Sequence, residues 1–443
     1  MKQSLLLVLV GPLLAQDPLS LREAVRLALR ENKAIAAANA GMRLSAARID
    51  EARAGRLPKL NYSESFARSD NPIFVFSSLL TQHQFGVENF NIGPLNRPDS
   101  LNNFQSLLTV DQPLYDAGQT KNAVKSADLS RQMTAEEQRR TQMQVIAGVV
   151  KAYYGAILAA ESLKTAEQAA GSAEADLKRA ESVRVAGMST DVDVLSIRVH
   201  LAAVTEQRIQ RAADLDVAKA GLNDALGLPL DAAHDLTTAL ISLNLPDLTL
   251  TSLERDASAA RPETRETHLA AGMAKTQADS ARSALLPQVG FHAAFEADRQ
   301  QFIDKGGANW LASVQLHWNL FNGLGDKARI EESSQGLARA HADEQRADSA
   351  VRLEVRRAWA DLQAAHERIE VAKAAVAEAE ESLRITQNRY EAGMSNVTDL
   401  LRNETAVLES RTRYLAAVHD QRIAATMLDL AAGRLSPDSE VLK

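Results

Sequence analysis

The sequence predicts a mainly α protein with a small β part: a tandem repeat of long α-helical coiled-coil hairpins, plus four β-strands per chain. Three observations predict it. A short turn occurs twice, as Ala186-Gly187-Met188-Ser189 and Ala392-Gly393-Met394-Ser395, each time interrupting a long helical pattern, and the two glycines are 393 − 187 = 206 residues apart. Around the turns, apolar residues keep a strict 3,4 spacing, which is the seam of a coiled coil: Val355, Ala358, Leu362, Ala365, Ile369, Ala372, Val376, Ala379 and Leu383, with Val149, Ala152, Ala156, Ala159 and Leu163 in the same register 206 earlier. Between Leu57 and Leu114, and again between Leu286 and Phe321, the period changes to 2, and all ten Phe lie between 66 and 104 or between 291 and 321.

In order along the chain, Lys2, the apolar run Leu5–Leu14 and Ala15 before Gln16-Asp17 read as a secretory leader over 1–15, too short for a membrane anchor. A helix is expected over 16–56, then strands 1 and 2 in 57–114 with an outer loop at 70–100. A long helical hairpin follows over 115–227, and a linker rich in Leu, Pro and Asp over 228–250 should form a belt around the helices. The second repeat gives a helix at 251–285, strands 3 and 4 in 286–321, a hairpin at 322–433 and a tail at 434–443. The pattern argues for one elongated unit. Landmarks repeat: Gly118 with Gly323, Gly227 with Gly433, and Leu57-Pro58 with Leu286-Pro287, the last pair at 286 − 57 = 229, so the first copy carries about two dozen extra residues in its strand region.

At each turn Gly stands where a helix C-cap needs φ > 0, and Thr190 or Asn396 can then cap the next helix, with Asp193 or Asp399 in the capping-box position. From Gly118 to Gly187 the helical stretch is roughly 100 Å long at 1.5 Å per residue. Strands of about ten residues, apolar and aromatic on one face and polar on the other, are what an outer-membrane barrel uses, because no later segment is expected to be apolar for long enough to cross as a helix. Four strands cannot close a barrel, so several copies must contribute.

The chain has no cysteine, a formal charge of −7 and no basic stripe, which argues against nucleic acid as a partner. There is no His-Glu-x-x-His, no Gly-x-Ser-x-Gly and no phosphate-binding glycine loop, and the nine His are scattered singly, with His200, His234, His341 and His419 expected as solvated or capping residues on helices. The acidic residues read as solvated faces. No catalytic residue, cofactor or metal is expected.

Together the duplicated Gly tip with its following Asp, the Leu-Pro-led strand pairs and the run Asp111-Gln112-Pro113-Leu114-Tyr115-Asp116-Ala117-Gly118 resemble the TolC-type outer-membrane efflux proteins over nearly the whole mature chain. That resemblance implies a homotrimer whose twelve strands form one barrel in outer-membrane lipid, continued by a helical tunnel through the periplasm. It also implies docking to a periplasmic adaptor protein and an inner-membrane pump. An exit duct for type I protein secretion and a periplasmic coiled-coil adaptor are the competing readings. The tips Gly187, Met188, Ser189, Gly393, Met394 and Ser395 are then expected to dock the adaptor. In the family's archetype a Tyr three before the second tip Gly bonds an Asp six after the first, and an Asp six after the second lines the constriction; Tyr390, Asp193 and Asp399 stand at those places. Ser395 and Arg402 depart from the archetype, which has an Arg and an acidic residue there, so the gate should be held less firmly. The loop at 70–100, with Ile73-Phe74-Val75-Phe76 and Leu79-Leu80, is expected outside the cell, capping the barrel mouth or folding onto its rim.

Overall fold

A computed structural model describes residues 17–186, 190–244, 249–304 and 306–442. The leader and the tip residues Gly187, Met188 and Ser189 lie outside the described residues. The chain divides into two compact units, one from 1–41, 135–266 and 344–443, the other from 42–134 and 267–343. In chain order the helices are α1 (Leu21–Glu31), α2 (Lys33–Ala54), α3 (Pro72–Thr81), α4 (Ile92–Asn96), α5 (Gln119–Val185), α6 (Asp191–Leu226), α7 (Leu250–Ala260), α8 (Pro262–Ser283), α9 (Gly325–Glu391) and α10 (Val397–Ala431). The strands are β1 (Asp17–Leu19), β2 (Lys59–Ser69), β3 (Leu101–Tyr115), β4 (His234–Leu236), β5 (Gln288–Arg299) and β6 (Gly307–His317).

In the first unit the duplication is visible in the core. One cluster buries Ala24 and Ala28 of α1 with Val149 and Ala156 of α5 and Leu222 of α6. Another buries Leu253 and Ala257 of α7 with Val355 and Leu362 of α9 and Leu428 of α10. These are the same positions shifted by 229 or 206. Alanine lets the helices approach closely, and the larger side chains supply most of the buried area at about 25 cal/mol per Å². α5 also contains an 18-residue window of mean hydropathy 1.4, enough for a membrane span by composition, which corrects the expectation that no such helix occurs. Packing accounts for it, because Ile146, Val149, Val150 and Ile157 of α5 sit in the first cluster.

The helices expected at 16–56 and 251–285 are each broken once. Pro262 restricts Arg261 to extended backbone (ψ 132°), and Asn32 (ψ 131°) turns its Oδ1 onto the N–H of Ala34 at 2.8 Å, so both can start a new helix. Each break is seated on the end of a long hairpin. Asn32 donates to the Ala225 carbonyl at 2.9 Å, and the buried Arg261 donates to the Leu430 carbonyl at 3.2 Å while pairing with Glu263 and Glu354.

The linker after α6 lies along these helices. β4 pairs in parallel with β1, which places His234 in a strand rather than on a helix. Buried Tyr153 donates its hydroxyl proton to the Leu19 carbonyl at 2.7 Å, Gln421 bonds both the N–H and the carbonyl of Leu243, and Arg422 donates to the Ile241 carbonyl. Side chains thereby satisfy backbone groups that no long strand pairs.

In the second unit β2, β3, β5 and β6 form one antiparallel sheet in that order, leaving β2 and β6 as its edges. Register puts Leu60, Tyr62, Phe66, Phe104, Leu108, Val110, Phe291, Phe295, Trp310 and Val314 on one face. The other carries Asn61, Ser63, Asn103, Gln105, Asp111, His292, Glu296, Asp298 and Asn309. The apolar face is uncovered: Trp310 is 79% exposed, Leu60 and Tyr62 both 66%. A sheet whose aromatic face is covered by helices is thereby excluded for this chain, and so large an exposed apolar face marks contact with lipid or protein. Midway along the face Glu64 accepts from Tyr62, Ser106 and Arg299, so that the Glu64 and Arg299 charges are paired, and Arg68 follows at the strand end, where it donates to Ser100.

Candidate gate and docking tips

Where α9 ends, the Gly393 backbone takes φ +70° and the Met394 N–H closes onto the Arg389 carbonyl at 2.8 Å, a Schellman-type stop. Asn396 then accepts from the Asp399 N–H at 2.8 Å and starts α10. Ser395 donates to the Asp399 carboxylate at 3.4 Å, and Met394 stands 65% exposed. The other hairpin restarts in the same way. Thr190 and Asp193 make a full capping box, in which the Asp193 Oδ2 accepts from the Thr190 N–H and hydroxyl at 3.1 and 2.8 Å.

Both hairpin ends pack into one apolar cluster. Ala180 of α5, Val194 and Ile197 of α6 and Val397 of α10 are buried in it, with Leu177, Leu401 and the ring of Tyr390 against them. Burial raises the Tyr390 phenol above its ordinary value, and the negative charges of Asp193 and then Asp176 raise it further. Tyr390 and Asp193, 197 residues apart by 390 − 193, are thus brought into one neighbourhood. Asp399 is half-buried one turn into α10, and Arg402 is exposed. Arg179 of α5 reaches Glu391 of α9 at 2.7 Å and ties the hairpins across their ends. Being half exposed, such a pair is worth at most about 1 kcal/mol.

Behind the tips lies a group that sequence reasoning missed. Asp176, His200 and Glu404, from α5, α6 and α10, line a cavity of about 490 Å³ that also takes in Arg179, Glu380 and Arg411. His200 Nε2 is 3.2 Å from Glu404 Oε2, so His200 is neither solvated nor a cap. Burial, then the hydrogen bond and charge of Glu404, push Asp176 up to about 7. Burial also pushes Glu404 up, but hydrogen bonds from His200 and Asp176 outweigh it and hold that carboxyl below its usual value. Below about pH 7 Asp176 is therefore the protonated member of this pair and Glu404 the ionised one. The signal was present in the spacing. Glu404 stands between the buried Leu400 and Val407, and His200 between the buried Ile197 and Val204, where a 3,4 spacing calls for an apolar side chain, while Asp176 lies beside the seam residue Leu177, three after the buried Ala173 and four before the buried Ala180.

The model of the outer membrane efflux protein family matches residues 24–228 and 253–434, which covers both hairpins and all four long strands. The chain belongs to the outer membrane efflux protein family. Within it, the chain is 28% identical over 347 residues to protein CyaE of Bordetella pertussis, covering 76% of this chain and 72% of that protein. It is 23% identical over 393 residues to the alkaline protease secretion protein AprF of Pseudomonas aeruginosa, covering 86% and 78%. The fold matches the CmeC outer membrane channel of Campylobacter jejuni with a TM-score of 0.79 at 16% identity, over 95% of this chain and 87% of that one. An outer-membrane location and an efflux or secretion channel follow from this membership.

The raised Asp176 carboxyl gives a pH signature. A carboxyl raised in the fold takes up a proton on folding between its unfolded value near 4 and about 7, so its contribution to stability falls as pH rises through that window. Asp176→Asn keeps the donor to Glu404 and removes the uptake. Thermal unfolding should show variant and parent alike near pH 4, with an advantage to the variant that grows to pH 7 and is level above it. A variant less stable than the parent at pH 8 would remove the raised Asp176 carboxyl from the account.

Proposed function

We propose that this protein is the outer-membrane exit duct of a tripartite export system, passively conducting cargo handed over by a periplasmic adaptor and an inner-membrane pump. The observation that carries this is the four-stranded sheet with two unpaired edges and an uncovered aromatic face. An open edge in lipid leaves backbone groups without partners, so β6 of one copy must pair with β2 of the next until the ring closes. Three copies give 3 × 4 = 12 strands, the trimer that the family resemblance implies. A periplasmic coiled-coil adaptor has no use for such a sheet. The long hairpins would project into the periplasm, with the Gly187 and Gly393 tips as the docking ends and Tyr390, Asp193 and Asp399 as the gate beside them.

Met188→Asp combined with Met394→Asp tests the docking. Charge placed on both tips should leave the oligomer intact and abolish export in cells carrying the cognate adaptor and pump, read as intracellular accumulation of cargo. Export at the parent level would exclude the tips as the docking surface. The similarity to an alkaline protease secretion protein favours protein as cargo over small molecules. Loss of a secreted protein from the medium on gene deletion, without greater sensitivity to toxic small molecules, would separate the two.

A further inference from the structure

The extra residues of the first repeat do more than join two strands. At the end of the sheet away from the helix junctions, α3 folds back over the strands. Val75, Ser78 and Gln82, spaced 3 and 4 apart, are its buried side. Gln82, 1% exposed, donates to the Asn103 side chain at 2.9 Å and to the Asn102 carbonyl at 3.0 Å. Asn103 donates in turn to the fully buried Asp298 at 2.6 Å, and Asn309 donates to the Thr81 carbonyl at 3.1 Å. A Cβ at Gly307 would collide with that same carbonyl oxygen, so the strand is shaped for the close approach.

Asn103, Asp298 and Asn309 all belong to the polar face of the sheet. In a barrel with its aromatic face toward lipid, that face lines the lumen. The segment is therefore pinned on the inside of the wall, not on its rim or its lipid side. Its other surface is apolar and bare. Ile73 (80% exposed), Phe76 and Leu80 repeat the 3,4 spacing on the opposite side of α3, and Phe85 packs edge-on between Phe76 and Phe90, while Ile92 is 77% exposed. Such a surface facing a water-filled lumen needs a partner. In a closed ring of copies, symmetry brings the same segment of each neighbour, with the same bare apolar side, around one axis.

We propose that residues 70–100 form an inward collar, in which the α3 segments of neighbouring copies pack on one another through Ile73, Phe76 and Leu80 and narrow the outer mouth of the channel. This rests on the channel reading above. The constriction is built by the insertion of the first repeat, and the second repeat joins β5 and β6 through a much shorter connection.

Two experiments test it. In the first, residues 72–98 are replaced by a two-residue Asn-Gly turn in a Tyr390→Phe background, so that the gate does not limit the current, and single-channel current is compared in a planar bilayer with that of Tyr390→Phe alone. The shortened protein should carry at least twofold more current. Equal current in two conducting proteins overturns the collar and leaves the channel standing; no current from either overturns both. The second covers a shortened protein that fails to assemble, and uses the absence of native cysteine. Phe76→Cys and Leu80→Cys, each alone in the full chain, should give disulfide-linked dimers within the assembled oligomer on mild oxidation, and the buried-side control Ser78→Cys should not. An assembled oligomer in which neither exposed position cross-links overturns the collar.

Discussion

Gly227→Ala should destabilise the protein by about 3 kcal/mol or more, an unusually large effect for adding one methyl group. Two costs add. The backbone at Gly227 has φ +81°, which costs an L-residue about 1–2 kcal/mol. The new Cβ would also stand 2.7 Å from the Glu31 carbonyl oxygen and 2.8 Å from the Asn32 Cα. Those are backbone atoms at the break between α1 and α2, held by the hydrogen bond from Asn32 to Ala225, so the contact cannot be relieved by turning a side chain. The repeat supplies graded controls. Gly433 has φ +70° but meets the Ala260–Arg261 backbone only at 3.1–3.3 Å, and Gly323, at φ +69°, meets nothing within 4 Å. Unfolding midpoints should therefore fall in the order Gly227→Ala furthest, then Gly433→Ala, then Gly323→Ala. Equal losses at all three would mean that backbone conformation alone matters and that the seating of each broken helix on a hairpin end contributes nothing.

Tyr390→Phe should raise the open current of the purified channel about tenfold or more, because a charge-assisted hydrogen bond of about 1.5–3 kcal/mol would no longer favour the closed state. We propose that bond between the Tyr390 hydroxyl and the Asp193 carboxylate. Its support is the influence of the Asp193 charge on the half-buried phenol. Asp193→Ala should do the same, but it also removes the capping box, worth about 1 kcal/mol of helix stability. Thr190→Ala separates the two roles, since it loses the cap and keeps the carboxylate. Its current should stay at the parent level. A Thr190→Ala channel as open as Asp193→Ala would assign the effect to helix fraying and take the latch out of the mechanism. Ser395 offers only a 3.4 Å hydrogen bond to Asp399, so no guanidinium reinforces the closure from that position.

The long helices are legible because a seam sustained over many turns has no strand counterpart, and the sheet because period 2 comes with Phe66, Phe104, Phe291, Phe295, Trp310 and their apolar neighbours, although clustering of Phe also took in α3, where Phe74 and Phe76 lie. What escaped was whatever depends on partners far apart in sequence. The apolar spacing runs through Asn32 and Arg261 without interruption; Pro262 was the one local sign of a break, and at Asn32 there was only a residue type that caps well. The anchor of α3 joins Gln82 to Asn103 and Asp298 across 298 − 82 = 216 residues, and each alone reads as an ordinary polar side chain of a loop or strand. Asp176, His200 and Glu404 each look like an ordinary solvated side chain when taken alone, and only their meeting on three helices makes them a group. Tyr390 and Asp193 were placed by counting from the tip glycines, which works because the repeat keeps the two hairpins in register.

One chain should supply only a third of a barrel. Native mass measurement of the detergent-extracted protein tests it most directly. The account predicts a single species of three chains, held where β6 of each copy pairs with β2 of the next, whereas a stable, folded monomer in detergent-free buffer would contradict it.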